Sequence, residues 1–338
     1  MATMLFVGEK SHQLLMISLA IVVALALTTP GSSSLHVKRS HPSVLHTTAK
    51  TNQLIYHGGP LLTKPGTINV YLIWYGRNSQ KDKATITDFF SSFTPTNDHS
   101  ISRIQRPPTV SKWWKTIQSY KDKAGSSVPG AVRLIKQISN DYSLGKNIKR
   151  AQIADLVQNK IDNNLLPVDP NGIYLVLTSR DVTVERFCMS SCGFHDTKTV
   201  PAKGNQVVVG HVGDPSLQCP GFCAWPYAVP AYGPPFKPLV SPNGVGADGL
   251  VINIATILAG AATNPFRDGY YQGHVEAPLE AVTACQGKFG EGAFPGFPGK
   301  LLEDRASNAS YNAYGANGRK FLLPAMWDPV SFSCKVVT

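Results

Sequence analysis

"GVGADGLVINIATILAGAATNPF", residues 244–266, can be taken as a cofactor loop, a membrane span, a metal-binding helix or a core helix, and each implies a different architecture. Its opening, Gly244-Val-Gly246-Ala-Asp-Gly249, matches the dinucleotide pattern G-x-G-x-x-G, and an apolar helical run follows at once. A cofactor loop needs a strand directly before the first glycine, because that βα turn aims backbone N–H groups at a pyrophosphate. The preceding "PAYGPPFKPLVSPN" carries too many prolines for a central strand, and Asp248 would set a carboxylate against the phosphates. Asp268 near the ribose-binding distance is one acid, easily placed by chance, so no cofactor is expected. Asp248 reads instead as the N-cap of a helix of roughly 15 residues, short of the roughly 20 a bilayer needs.

That helix carries Val251, Ile254, Ala255, Leu258, Ala261 and Ala262 at i, i+3, i+4 and i+7 spacing, and Ile252 and Ile257 widen the apolar surface. A narrow seam of small or polar residues, Asn253, Thr256, Gly260 and Asn264, interrupts it. Thr256 and Gly260 stand at the i, i+4 spacing at which zinc proteases set two ligands on one helical face. An α/β half followed by such a helix loosely resembles a zincin. On that reading Thr256, Gly260 and Asn264 are a vestigial seam in a degenerate zincin-like core. Thr and Gly do not ligate zinc, and Ile257 in the slot of the catalytic Glu cannot activate water, so no metal is expected. The plainer reading is a core helix whose small face lets a neighbour come close.

Upstream, strand and helix patterns alternate. "TINVYLIWYG" (67–76), "AVRLIKQISNDYS" (131–143) and "GIYLVLTS" (172–179) read as strands. "KDKATITDFFSSF" (81–93), "TVSKWWKTIQSYK" (109–121) and "IKRAQIADLVQNKID" (148–162) read as helices, the second capped by Thr109 or Ser111. The third sets Ile148, Ile153, Leu156, Val157 and Ile161 on one side. After Ser179 glycine and proline become frequent, with "NQVVVGHVG" as a further strand. The expected fold class is α/β: a mixed, partly parallel sheet with helices, then a loop-rich, disulfide-stapled C-terminal half. Residues 55–338 read as a single domain.

The apolar block "LLMISLAIVVALAL" (14–27) precedes small residues, "TTPGSSS". Residues 1–30 read as a signal peptide cleaved between 26 and 34, and residues 31–54 as a flexible arm. The expected product is secreted to the extracellular space, with no membrane span after cleavage. The net charge is +11, and residues 101–160 hold twelve Lys and Arg against Asp122, Asp141 and Asp155. A basic face suits an acidic polysaccharide; nucleic acid is not a partner expected of a secreted chain. An oxidising compartment pairs Cys188, Cys192, Cys219, Cys223, Cys285 and Cys334 as three disulfides. Cys188–Cys192 and Cys219–Cys223 are the local candidates, crossed pairing of the two clusters is the alternative, and Cys285–Cys334 is left as the long staple. Asn308-Ala-Ser310 is the one N-glycosylation sequon.

The sequence has no G-x-S-x-G elbow, Walker loop or H-E-x-x-H. His195 beside Asp196, His211 near Asp214, and His274 near Glu276 would make acid–base pairs if loops converged. A hydrolase of wall polymers or peptides centred on His195 and Asp214 is therefore the alternative to a binding protein. Trp113, Trp114, Tyr270 and Tyr271 would suit a lectin-like module by stacking on sugar rings, although such aromatics usually lie in cores. No catalytic residue is assigned.

Several longer phrases are more specific. "LTSRDVTVERFCMSSCGFHDT", "QCPGFCAWP", "LVSPNGVGADGLVINIATILAGAATNPFRDGYYQG", "APLEAVTACQGKFGEGAFPG" and "GRKFLLPAMWDP" resemble the exordium, or phosphate-induced protein, family of land plants. "YHGGPLL" and "INVYLIWYG" fit its N-terminal half. The resemblance runs from Tyr56 to the C-terminus with all six cysteines in place. It implies a protein of the apoplast or cell wall, associated with brassinosteroid-responsive growth and cell expansion, and it brings no catalytic residues with it.

Overall fold

Our computed structural model describes residues 53–94, 107–200 and 204–337. The expected signal peptide, nearly all of the 31–54 arm, and Arg103 and Arg106 of the basic stretch lie outside them. In chain order the first elements are β1 (Ile55–Tyr56), β2 (Ile68–Tyr75), α1 (Gln80–Ser91), α2 (Val110–Trp114), β3 (Val132–Asn140), β4 (Asn147–Ile148) and α3 (Arg150–Asp162). They are followed by β5 (Gly172–Thr178), β6 (Thr183–Val184), β7 (Gly193–Val200), β8 (Asn205–Gly213), α4 (Pro220–Cys223) and α5 (Val245–Thr263).

A five-stranded sheet runs in the order β3-β2-β5-β8-β7. Its first four strands are parallel, and β7 returns antiparallel to β8. Side chains alternate between the two faces, as the period of two requires. Val70, Leu72 and Trp74 of β2 pack with α1, α2 and α5, whereas Tyr71, Ile73 and Tyr75 pack with α3. Strands covered on both faces read as unbroken apolar runs, which is why β2, β5 and β8 stand out in the sequence. Edge strand β3 leaves Arg133 and Lys136 exposed, charges that discourage a further strand from pairing.

The helices confirm their periodicity. In α1, Ser79 caps the first turn by accepting from Asp82 N at 3.1 Å, and Ile86, Phe89 and Phe90 are buried. In α3, Ile153, Leu156, Val157 and Ile161 are buried together; Ile148 is buried too, on β4. The second expected helix is shorter than its pattern: α2 stops at Trp114 and a 3₁₀ turn continues over Lys115–Ser119. Thr109 is its cap, accepting from Lys112 N at 3.2 Å. Trp113 and Trp114 are core residues, donating their indole N–H groups to Pro324 O and Pro129 O. They are not available to stack on sugars.

Helix α5 is 19 residues long and starts earlier than expected. Its N-cap is Gly244, at φ 106°, and not Asp248. Asp248 lies in the first turn and reaches back, accepting from Asn243 N at 2.9 Å and Asn243 Nδ2 at 2.8 Å. With a mean hydropathy of 1.6 the helix is long and apolar enough to cross a membrane, so length does not exclude that. Its surroundings identify it as a core helix, 83% buried over its apolar window.

Strand β7 corrects another expectation. The acid–base reading of "CGFHDT" sets it among loops, yet from Gly193 onward it is strand, paired with β8 through Val200. At the opposite side of β5, Tyr142, at φ 54°, donates its hydroxyl to both oxygens of Asp181. Asp181 also accepts from Ser179 Oγ at 2.7 Å and pairs with Lys146 at 2.6 Å.

All six cysteines are paired, and the local pairing is not the one adopted. Cys188 joins Cys219, Cys192 joins Cys223, and Cys285 joins Cys334. The two parallel bridges fasten the turn before β7 to α4. The remainder of the chain is loop with short ribbons: β9 (Tyr270–Tyr271) against β1, β10 (Leu302–Glu303) with β11 (Ser310–Tyr311), β12 (Ala313–Tyr314) with β13 (Lys320–Phe321), and β14 (Met326–Asp328) with β15 (Ser333–Lys335).

Candidate functional site

The register of β7 on β8 decides the fate of the histidine pairs. Phe194 faces His211 and His195 faces Gly210, so the two histidines point to opposite sides of the sheet. His211 lies under Phe187 and Phe194, with Thr178 Oγ1 at 3.0 Å from its Nε2. Burial, helped by the Arg150 charge, pushes its pKa down to about 3, so it is a neutral core residue. Asp214 accepts from Ser216 N at 2.9 Å. A Cβ on Gly246, in the first turn of α5, would lie 2.8 Å from Asp214 Oδ1, whereas His195 lies against Gly260, about 21 Å further along the same helix, so His195 and Asp214 are not brought together.

His195 does have an acidic partner, but not its neighbour Asp196. Its Nε2 sits 2.9 and 3.0 Å from the two carboxylate oxygens of Glu280. Asn264 Nδ2 donates to Glu280 Oε1 at 2.7 Å, and Asn264 Oδ1 accepts from Gly269 N at 2.8 Å. Burial works against a charge on His195, but the Glu280 carboxylate outweighs it and the net shift is upward. Nδ1 of His195 is buried with no hydrogen-bond partner among the described residues.

Gly260 makes room for this pair. A Cβ there would lie 2.4 Å from Glu280 Oε2 and 3.2 Å from His195 Nε2. Two members of the seam, Gly260 and Asn264, thus accommodate a buried acid–histidine pair, while Thr256 bonds its own helix at Ile252 O. A degenerate zincin-like core is not supported. The seam is filled by Glu280, and no group of three or more His, Cys, Asp or Glu that could hold a metal occurs among the described residues. Asp196 pairs instead with Arg267 at 3.2 Å, and Arg267 with Glu276 at 3.5 Å. His274 is exposed and accepts from Glu276 N in a turn.

An open cleft of about 400 Å³ lies elsewhere, where four separate segments meet. Asp88 comes from the last turn of α1 and Asn243 from the residue before the α5 cap. Asn317, Gly318, Arg319 and Lys320 come from the β12–β13 connection and the start of β13, and Asp304 and Ser307 from the β10–β11 loop. Asp88 accepts from Asn317 Nδ2 at 2.6 Å and from Arg319 Nε at 2.8 Å. Asn317 holds φ at 56°, a left-handed conformation that asparagine tolerates. Arg319 Nη1 donates to Asn243 Oδ1 at 3.1 Å, and Asn243 Nδ2 donates in turn to Asp248 and to Lys320 O. Lys320 pairs with Asp304 at 2.7 Å and lies over the Tyr311 ring. That contact holds the Asp304 carboxyl below its ordinary range. Behind the cleft, burial pushes Asp248 up to about 7 despite its hydrogen bonds from Asn243.

The described cations of the basic stretch do not form one face. Lys112 and Lys115 lie on or beside α2, Arg150 and Lys160 on α3 across the sheet, and Arg133 and Lys136 on the edge strand. Several of its cations are already engaged: Lys146 by Asp181, and Arg150 over the Phe194 ring and against Ser191. Tyr270 stacks on Tyr56 and Tyr271 on His57, both half-buried. Asn308 is exposed, as a glycosylation site requires.

Neither Glu280 nor the cleft residues were singled out from the sequence. Glu280 lies 85 residues from His195, and Asp88 lies 231 from Arg319, with no spacing rule to connect them. Their phrases, "APLEAV" and "GRKF", were visible only as parts of the family resemblance.

Comparison with known proteins matches residues 54–337 to the phosphate-induced protein 1 conserved region. The chain is 43% identical to Protein EXORDIUM-like 2 of Arabidopsis thaliana over 94% of this chain and 97% of the relative. It is 47% identical to Protein EXORDIUM of the same plant, over 84% and 89% respectively. Its identity to Protein PHOSPHATE-INDUCED 1 of Nicotiana tabacum is 44%, over 85% and 89%. No solved structure matches the chain.

Proposed function

We propose that this chain, which belongs to the phosphate-induced protein 1 family, is a secreted protein of the apoplast or cell wall that acts by binding rather than by catalysis. Its role on this reading lies in brassinosteroid-dependent growth and cell expansion. One observation carries the preference for binding: the charged groups of the open cleft are committed to each other in pairs. A general acid or base needs a group free to take or give a proton near working pH. Asp304 is held in its ionised form by Lys320, and Asp88 is fixed by Asn317 and Arg319. Among the described residues no hydroxyl or thiol is hydrogen-bonded to the His195 ring or the Glu280 carboxylate; Thr283 Oγ1 accepts only from the Glu280 backbone N–H, at 2.7 Å.

Secreted full-length protein incubated with wall extract should retain wall material, and a broad hydrolase screen on the same preparation should show no turnover. Turnover abolished by His195→Ala or His211→Ala would refute the binding reading. The growth role predicts an altered brassinosteroid growth response in plants lacking the protein; an unchanged response would remove it.

A further inference from the structure

We propose that the cleft bounded by Asp88, Asn243, Asn317, Arg319 and Lys320 is a binding site for a neutral saccharide. The inference rests on the binding role above and gives that role a location and a ligand class. The cleft volume, about 400 Å³, lies within the roughly 300–1,000 Å³ of small-molecule sites. Arg319 is matched by Asp88 at 2.8 Å and Lys320 by Asp304 at 2.7 Å, so these four charges cancel. An acidic polymer would meet carboxylates as often as cations. An apolar ligand would strip water from four charged groups and return no hydrogen bonds. A sugar hydroxyl donates and accepts at once, and it suits a surface on which both kinds of atom alternate.

That alternation is built into the side chains. The Asp88 oxygens sit against Asn317 Nδ2 and Arg319 Nε, which places acceptors and donors side by side for neighbouring hydroxyls of one ring. Arg319 uses Nε on Asp88 and Nη1 on Asn243, and no protein acceptor contacts its Nη2 among the described residues. The mutual bonds hold the side chains before any ligand arrives, so little rotamer freedom is left to lose on binding. An aromatic residue stands beside the cleft lining, as the partner of Lys320. Tyr314 pairs with Lys320 across the β12–β13 ribbon, which sets both side chains on one face. Tyr314 is 37% exposed, and its hydroxyl is anchored 2.7 Å from that of Tyr311.

Two sources offer this chemistry: a wall oligosaccharide, or the protein's own glycan on Asn308, next to the cleft residue Ser307. The test is calorimetric titration of the secreted full chain with neutral tetra- to hexasaccharides of glucose, xylose and mannose. Oligogalacturonate of matching length is the acidic arm. At least one neutral series should bind saturably. Asn317→Gly, which suits the local φ, and Lys320→Met should each weaken binding about tenfold with circular dichroism unchanged. Binding that appears only after Asn308→Gln would place the protein's own glycan in the cleft. The proposal is overturned if neither the parent nor Asn308→Gln binds any neutral series at millimolar concentration. It is also overturned if both cleft variants bind as the parent does, or if oligogalacturonate binds more tightly than every neutral series. If wall material is still retained while every neutral sugar fails, the ligand class is wrong and the binding role stands.

Discussion

Replacing Gly260 with alanine should destabilise this protein, although the same change in most exposed helices would help. Alanine in place of a mid-helix glycine gains about 1 kcal/mol from backbone entropy alone. Here the new Cβ would lie 2.4 Å from Glu280 Oε2, where contact needs about 3.4 Å or more, so the carboxylate must retreat by roughly 1 Å. Glu280 is the far end of a flexible side chain, but it is held by His195 Nε2 and by Asn264 Nδ2. A charge-assisted bond lost in a buried place costs about 1.5–3 kcal/mol, and full separation of a buried pair about 3–5 kcal/mol. The net expectation for Gly260→Ala is a loss of about 2 kcal/mol, read as a fall of about 4 °C in Tm. The decisive measurement is a double-mutant cycle in denaturant. In a Glu280→Ala background the 2.4 Å clash is gone and only the 3.2 Å approach to His195 Nε2 remains, which a ring freed of its partner can relieve, so Gly260→Ala should then stabilise by up to about 1 kcal/mol. Equal effects of Gly260→Ala with and without Glu280 would show that the acid–histidine pair does not govern this helix face.

Other outcomes follow from the same structure. Asp248 has a folded pKa of about 7 against 3.8 for an ordinary aspartate, so the folded state binds its proton more tightly than the unfolded chain. Its contribution is fully present below about pH 4 and is lost as pH rises to about 7, on the order of 4 kcal/mol at most. Asp248→Asn should flatten the pH dependence of Tm between pH 4 and 7, and a variant profile parallel to the parent's would refute this. His195, whose pKa is raised, shares the sign: stability present at acid pH is lost as pH climbs through its folded value, and histidine NMR titration should show that value above the ordinary one. Removing the Cys285–Cys334 bridge, which spans 49 residues, should cost about 4 kcal/mol in the chain-entropy view. Cys285→Ser with Cys334→Ser measured by urea denaturation checks it, and a loss under about 1 kcal/mol would contradict it. Mass spectrometry of protein expressed through a secretory pathway should find one N-glycan, absent in Asn308→Gln.

The legible parts of this fold are those in which a local period meets uniform burial. Strands β2, β5 and β8 and helices α1, α3 and α5 announce themselves because both faces of a strand, or a wide stripe of a helix, are apolar. Strand β7 does not, because Asp196, Thr197 and Lys198 earn their place by pairing with β8 and not by burial. The start of α5 was displaced because Asp248 looks like a cap by type, whereas Gly244 supplies the positive φ that the turn requires. Cysteine spacing left the pairing open, since residues four apart can bridge to each other or run as two rungs to a second such pair. The candidate sites were least legible of all. Glu280 with His195, and Asp88 with Arg319, are joined by folding alone, and charge pairs across such separations leave no mark on either local stretch.

From β2 the chain passes through α1 on one face to β3, then back past β2 through α3 on the other face to β5. In open α/β sheets such a reversal parts the two crossover connections and leaves a crevice beyond the carboxyl ends of the strands, where ligands usually bind. In this protein side chains that follow β3 and β5 pack at that position. Ser179 and Tyr142 press on Gly76, where a Cβ would meet Ser179 Oγ at 2.2 Å, and Asp181 and Lys146 tie these side chains together. At the switch point that serves as the mouth of many α/β enzymes this chain sets the Tyr142 ring, and Tyr142→Gly is the change that would remove it.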